Sequence, residues 1–89
     1  MKVLIIEDEA PAARRLKLLI DSLDFDIQLI NVLESVSQAV NWLESNENPD
    51  LIFMDIQLGD GISFEIFSNV EINCPVIFTT AYDEFALKA

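Results

Sequence analysis

Apolar residues in this chain fall either in short unbroken runs or at every third or fourth position, and the two patterns alternate. Val3-Leu4-Ile5-Ile6 and Leu51-Ile52-Phe53-Met54 are uninterrupted and rich in branched or aromatic members, the signature of strands buried on both faces, and Val76-Ile77-Phe78-Thr79-Thr80 reads as one more strand. Ile27-Gln28-Leu29-Ile30-Asn31-Val32 partly alternates, which predicts a strand open on one side, at a sheet edge. Between the first two runs, Ala12, Leu16, Leu19, Ile20 and Leu23 repeat at helical spacing behind Pro11, with Arg14, Arg15 and Lys17 off that face. That helix should end near Asp24. Val36, Ala39, Val40 and Leu43, with Trp42 at the margin, give a second helix that Ser35 or Ser37 caps and Ser45-Asn46-Glu47-Asn48-Pro49 ends. A third fits Ser63 to Val70, with Phe64, Ile66, Phe67 and Val70 turned inward, and Ala81 to Ala89 reads as the start of another. Strands and helices in strict alternation predict one α/β domain over residues 1–89, a three-layer α/β/α arrangement around a parallel sheet.

Charge narrows the list of partners. The net charge is −11, and Lys2, Arg14, Arg15, Lys17 and Lys88 leave no basic residue between Leu18 and Leu87. Such a surface repels phosphate backbones, so the chain should not bind nucleic acid by itself. Its single cysteine, Cys74, has no internal partner, and the absence of histidine removes the usual nitrogen ligands for a metal. The opening apolar run meets Glu7-Asp8-Glu9 too soon for a secretion signal or a membrane span. These features predict a cytoplasmic protein.

The acids themselves hold the candidate chemistry. The first and third strands run directly into Glu7-Asp8 and Asp55, and Gly59-Asp60-Gly61 then allows a sharp turn. If those strands are parallel neighbours, Glu7, Asp8 and Asp55 meet at the carboxyl edge of the sheet, where α/β folds bind ligands. Two carboxylates roughly 5 Å apart repel by about 3 kcal/mol at an effective dielectric near 20. Three together need a cation or a raised pKa. All-oxygen ligation suits Mg2+. A carboxylate beside Mg2+ is a nucleophile suited to phosphorus, and Thr80 offers a hydroxyl on the same edge. The plainer reading also stands: acids follow strands because loops are wet.

Three stretches resemble the response-regulator receiver domain of two-component systems. They are Val3-Leu4-Ile5-Ile6-Glu7-Asp8-Glu9, Pro49-Asp50-Leu51-Ile52-Phe53-Met54-Asp55-Ile56-Gln57-Leu58 and Pro75-Val76-Ile77-Phe78-Thr79-Thr80-Ala81. The likeness spans all 89 residues, and Gln57-Leu58-Gly59-Asp60-Gly61 with Thr80 to Ala89 is similar to the LytR/AlgR (LytTR) type. It implies the flavodoxin-like receiver fold with strand order 2-1-3-4. It also implies that Asp55 accepts a phosphoryl group from a sensor histidine kinase. Glu7, Asp8, Asp55 and the main-chain carbonyl of Gln57 would hold Mg2+, while Thr80 and the Ala81 N–H would bind the phosphoryl group. The output would be transcription regulation through a LytTR DNA-binding domain absent from this chain.

Against the family pattern the chain is C-terminally short. The rest of the fourth helix, a fifth strand with its phosphoryl-binding Lys, and the fifth helix are missing. A truncated receiver should expose the edge of its last strand and one apolar sheet face, and so should self-associate or dimerise. Three other readings compete. A degenerate receiver would act only as a protein-interaction module. A Mg2+-dependent aspartyl-phosphate hydrolase would want an acid where Gln57 stands. A Ca2+ loop would want alternating acids and a closing Glu that residues 55–61 lack.

Overall fold

The computed structural model describes residues 1–23 and 26–79. Val3, Leu4, Ile5 and Ile6 are closed off from solvent because β1 (Lys2–Ile6) runs through the sheet interior, as an unbroken apolar run requires. On one side it pairs in parallel with β2 (Gln28–Leu33), and on the other with β3 (Leu51–Asp55). Two residues after β3 come β4 (Gln57–Leu58) and β5 (Gly61–Ile62), a separate two-stranded hairpin. The fourth strand of the main sheet, β6 (Val76–Thr79), lies parallel to β3, giving the order β2-β1-β3-β6. With the hairpin set aside, this is the expected flavodoxin-like order 2-1-3-4.

Three helices cover the sheet. Pro11 lies in the first turn of α1 (Ala10–Asp21), where its missing N–H costs nothing. Ser35 caps α2 (Val36–Ser45), its hydroxyl accepting from the Gln38 N–H at 3.0 Å. The last, α3 (Phe64–Asn69), is shorter than the Ser63–Val70 span expected from spacing. On the α2/α3 face the core contains Leu4, Ile6, Leu33, Val36, Ala39, Leu43, Ile52, Met54, Leu58 and Ile66. Only Val3, Ile5 and Ile20 are closed off together on the α1 face, with Leu16, Ile27, Leu29, Val32, Leu51 and Phe53 half-buried around them.

Several side chains depart from the expected pattern. Phe64 and Phe67 face outward while Ile66 between them is completely buried. A helix of six residues has room for one inward position at the sheet, and the two rings pack instead on Phe78, at centroid distances of 5.4 and 6.3 Å. Ile20 is buried as expected, but Leu19 and Leu23 are exposed and α1 buries Ala13 beside Ile20, which shifts its inner face from the expected one. Leu51 and Phe53 are half-buried, so β3 is fully covered on the α2/α3 face alone. Ala81 to Ala89 and Asp24 lie outside the described residues. No described helix is long and apolar enough to cross a membrane.

Candidate functional site

Parallel pairing decides what meets at the carboxyl edge. Ile6 is level with Met54, so the residues that follow each strand emerge side by side. Glu7 continues the sheet by one bond, its N–H donating to the Leu33 carbonyl at 2.8 Å. One carboxylate oxygen from each of Glu7, Asp8 and Asp55 lies within 4.8 Å of the others. Glu7 is 7% exposed and Asp55 9%, while Asp8 faces solvent. The expected convergence of three acids is therefore present.

Such crowding has an electrostatic consequence at Glu7. Its carboxyl is pushed up to about 7, first by burial and then by the charge and proximity of Asp55 and Asp8. A hydrogen bond that Glu7 Oε2 accepts from the Glu9 N–H, at 3.1 Å, pulls partly the other way. The Oδ1 atom of Asp55 is buried with no hydrogen-bond partner among the described residues. Three carboxylates, an unpaired buried oxygen and no nitrogen or sulfur donor in the cluster fit a small hard cation such as Mg2+.

A cavity of about 220 Å³ opens beside the cluster. Glu7 and Asp55 line it with Ala12, Arg15, Leu16 and Leu19 of α1 and Thr79 of β6. Thr79 is paired with Asp55 in register, one residue before the expected hydroxyl of Thr80. Both Thr80 and Ala81 lie outside the described residues. Gln57 is exposed at the start of β4, two residues past Asp55.

Two residues at or near the site show no sign of their place in the sequence pattern. Arg15, a charge off the apolar face of α1, shares the cavity with Asp55. Asp60, whose sequence neighbours Gly59 and Gly61 mark only a turn, accepts hydrogen bonds from the N–H groups of Val36 and Ser37 on α2. A link across more than twenty residues leaves no local pattern by which it can be found.

Residues 3–89 match the family model described as the response regulator receiver domain. The chain belongs to the response-regulator receiver family. Over 92 aligned residues it is 38% identical to the sensory transduction protein LytT of Bacillus anthracis, covering the whole of this chain and 37% of that protein. Among solved structures, the receiver is similar to the response regulatory domain of mrkE from Klebsiella pneumoniae, with a TM-score of 0.77 and 29% identity, covering 100% of this chain and 74% of that one. It also resembles the anti-anti-sigma factor PhyR from Bartonella quintana, with a TM-score of 0.68 and 34% identity over 94% of this chain and 34% of that one. The receiver thus spans little more than a third of the length of LytT.

Proposed function

We propose that this receiver is a phosphoacceptor, with Asp55 taking a phosphoryl group from a sensor histidine kinase in a cytoplasmic phosphorelay. The observation that carries this reading is the meeting of Glu7, Asp8 and Asp55 at the end of two central strands, with Asp55 Oδ1 buried and without a hydrogen-bond partner among the described residues. A buried carboxylate fixed at the end of a strand is a nucleophile with little conformational freedom to lose. In the transfer, an Asp55 oxygen forms a bond to phosphorus while the P–N bond of a phosphohistidine breaks. The imidazole leaves with the electron pair and is protonated. Glu7, Asp8, Asp55 and the Gln57 carbonyl would hold Mg2+, which when bound offsets negative charge on the transferring group. Thr80 and the Ala81 N–H would bind the phosphoryl oxygens.

The likeness to LytT supports transcription regulation as the output, through a LytTR domain elsewhere in the protein and thus through DNA only indirectly. PhyR, named for an anti-anti-sigma role, supports a second output by protein contact. Among the described residues β6 is an edge strand, with Ile77 and Phe78 exposed on its two faces. That supports self-association, and a purely monomeric sedimentation profile at high concentration would contradict it.

Intact-mass measurement after incubation with Mg2+ and acetyl phosphate tests the main reading. One phosphate should be gained, should be labile to hydroxylamine, and should be absent from Asp55→Asn. A gain that persists in Asp55→Asn overturns the assignment. No gain, here or in a chain extended to the length of the relatives' receiver domains, leaves a protein-contact module as the function.

A further inference from the structure

The Asp60 carboxylate lies at the tip of the β4–β5 hairpin and bridges two parts of the fold. It accepts hydrogen bonds from the backbone N–H groups of Val36 at 2.8 Å and Ser37 at 3.1 Å, the first two residues of α2. The third amide, Gln38, is held by the cap residue Ser35. The free amides at the start of α2 are thus divided between its own cap and a residue at least 23 positions away. These two bonds hold the Asp60 carboxyl below the usual carboxylate range, as an anion at the positive end of a helix should be.

The same hairpin touches the acidic cluster on its other flank. A Cβ placed on Gly59 would stand 3.6 Å from Asp8 Oδ2, so the Gly59 backbone lies against that carboxylate. At its base the hairpin is closed by the Ser63 N–H, which donates to the Ile56 carbonyl at 2.8 Å. Its ladder holds only the pairs Gln57 with Ile62 and Leu58 with Gly61. An isolated two-stranded ribbon, still less one this short, has little stability of its own. The position of the Gln57–Gly61 turn beside Asp8 must therefore be imposed from outside its own ladder, by β3 and Ser63 at its base, by Leu58 packed in the core, and by Asp60 at its tip.

We propose that Asp60 is a positioning residue: by clasping the N-terminus of α2 it holds the Gln57–Gly61 turn against Asp8 and so sets the cation affinity of the Glu7–Asp8–Asp55 cluster. This rests on the reading of that cluster as a Mg2+ site. Groups that orient metal-bearing segments without touching the metal commonly contribute about tenfold or more in affinity. The competing role is a helix cap with no influence on the site.

Two substitutions separate these roles. Asp60→Ala removes both the cap and the bridge. Adding Ser35→Asp restores a cap, because an aspartate there can accept from the Ser37 and Gln38 amides, but leaves the bridge broken. Mg2+ would be titrated into the full 89-residue chain, following the amide resonances of Asp8 and Gly59, with chemical denaturation of each variant alongside. The clasp predicts about tenfold weaker Mg2+ binding in Asp60→Ala. It also predicts that the double variant regains stability without regaining affinity, and that Ser35→Asp alone binds as the wild type does. Unchanged affinity in Asp60→Ala, or affinity that returns with stability in the double variant, overturns the clasp while leaving the metal reading intact. A wild type whose resonances ignore Mg2+ overturns the metal reading, and the clasp with it.

Discussion

On the α2/α3 face of the sheet Leu4, Ile6, Ile52 and Met54 are sealed beneath Val36, Ala39, Leu43 and Ile66, whereas on the α1 face, among the described residues, the buried cluster holds only Val3, Ile5 and Ile20. Leu16, Leu51 and Phe53 stay half-buried there, and Leu19 is exposed. The contrast separates two tasks. Rigidity comes from the filled face, which also anchors the Gln57–Gly61 turn through the buried Leu58 and through Asp60 on α2. Access comes from the other, since the cavity that reaches Asp55 is walled by Ala12, Arg15, Leu16 and Leu19 of α1. The Asp55 carboxylate is held from one side and reached from the other.

The largest test of that division is to cut equivalent cavities in the two faces. Ile52→Ala, at a completely buried position on the filled face, should cost about 2–5 kcal/mol, enough to threaten folding of a domain this small. Leu16→Ala, on the open face, should cost about 1 kcal/mol, because water already reaches the side chain. Equal losses in urea denaturation would erase the contrast.

The site turn offers a smaller effect. Gly61 has φ +154°, a region that side chains rarely adopt, and a Cβ there would lie 2.9 Å from Glu65 Oε2. Gly61→Ala should cost about 1–3 kcal/mol. Adding Glu65→Ala should not restore it, since the flexible carboxylate can move but the backbone conformation remains. Full rescue would mean that the contact, rather than the dihedral angle, sets the requirement.

Next comes pH. Free of divalent cation, the folded chain holds a proton on Glu7 up to about pH 7, against an ordinary value of 4.5. The folded state therefore binds more protons than the unfolded state between those values. The stability Glu7 contributes is fully present below pH 4.5 and is lost as pH rises through 7. After allowance for solvent screening the change should be about 1–2 kcal/mol. It should vanish in Glu7→Gln, which keeps the shape without the charge. A pH profile unchanged by that substitution would contradict the crowding of the three carboxylates.

Ser63 should give the smallest change, and of opposite sign. Its hydroxyl is completely buried and finds no hydrogen-bond partner among the described residues. Ser63→Ala removes an unsatisfied polar group from the filled face and should be neutral or stabilising by up to about 1 kcal/mol. A loss above that amount in thermal unfolding would show that the hydroxyl is in fact paired.

Much of the frame was legible in the chain because it is local. Unbroken runs such as Val3 to Ile6 mark interior strands, and acids directly after Ile6 and Met54 mark their carboxyl ends. Parallel pairing then brings Glu7, Asp8 and Asp55 together with no further information. What was not legible depends on how far a neighbour extends. Hydrophobicity makes Phe64, Phe67, Ile66, Leu19 and Ile20 equal candidates for the interior, but only the reach of the facing sheet decides that Ile66 and Ile20 alone of these are covered. Asp60 shows the other limit: its sequence neighbours describe a turn, and its partners are on a helix that precedes it by more than twenty residues.

The central claim is that Glu7, Asp8 and Asp55 form one cation site, and thermal unfolding across a Mg2+ titration at neutral pH tests it most directly. A ligand that binds only the folded state stabilises it by about 2.7 kcal/mol at a hundred times its dissociation constant. The account predicts a melting temperature that climbs with Mg2+ in the wild type and stays level in Asp8→Ala. A flat wild-type curve, or an equal climb in Asp8→Ala, would contradict it.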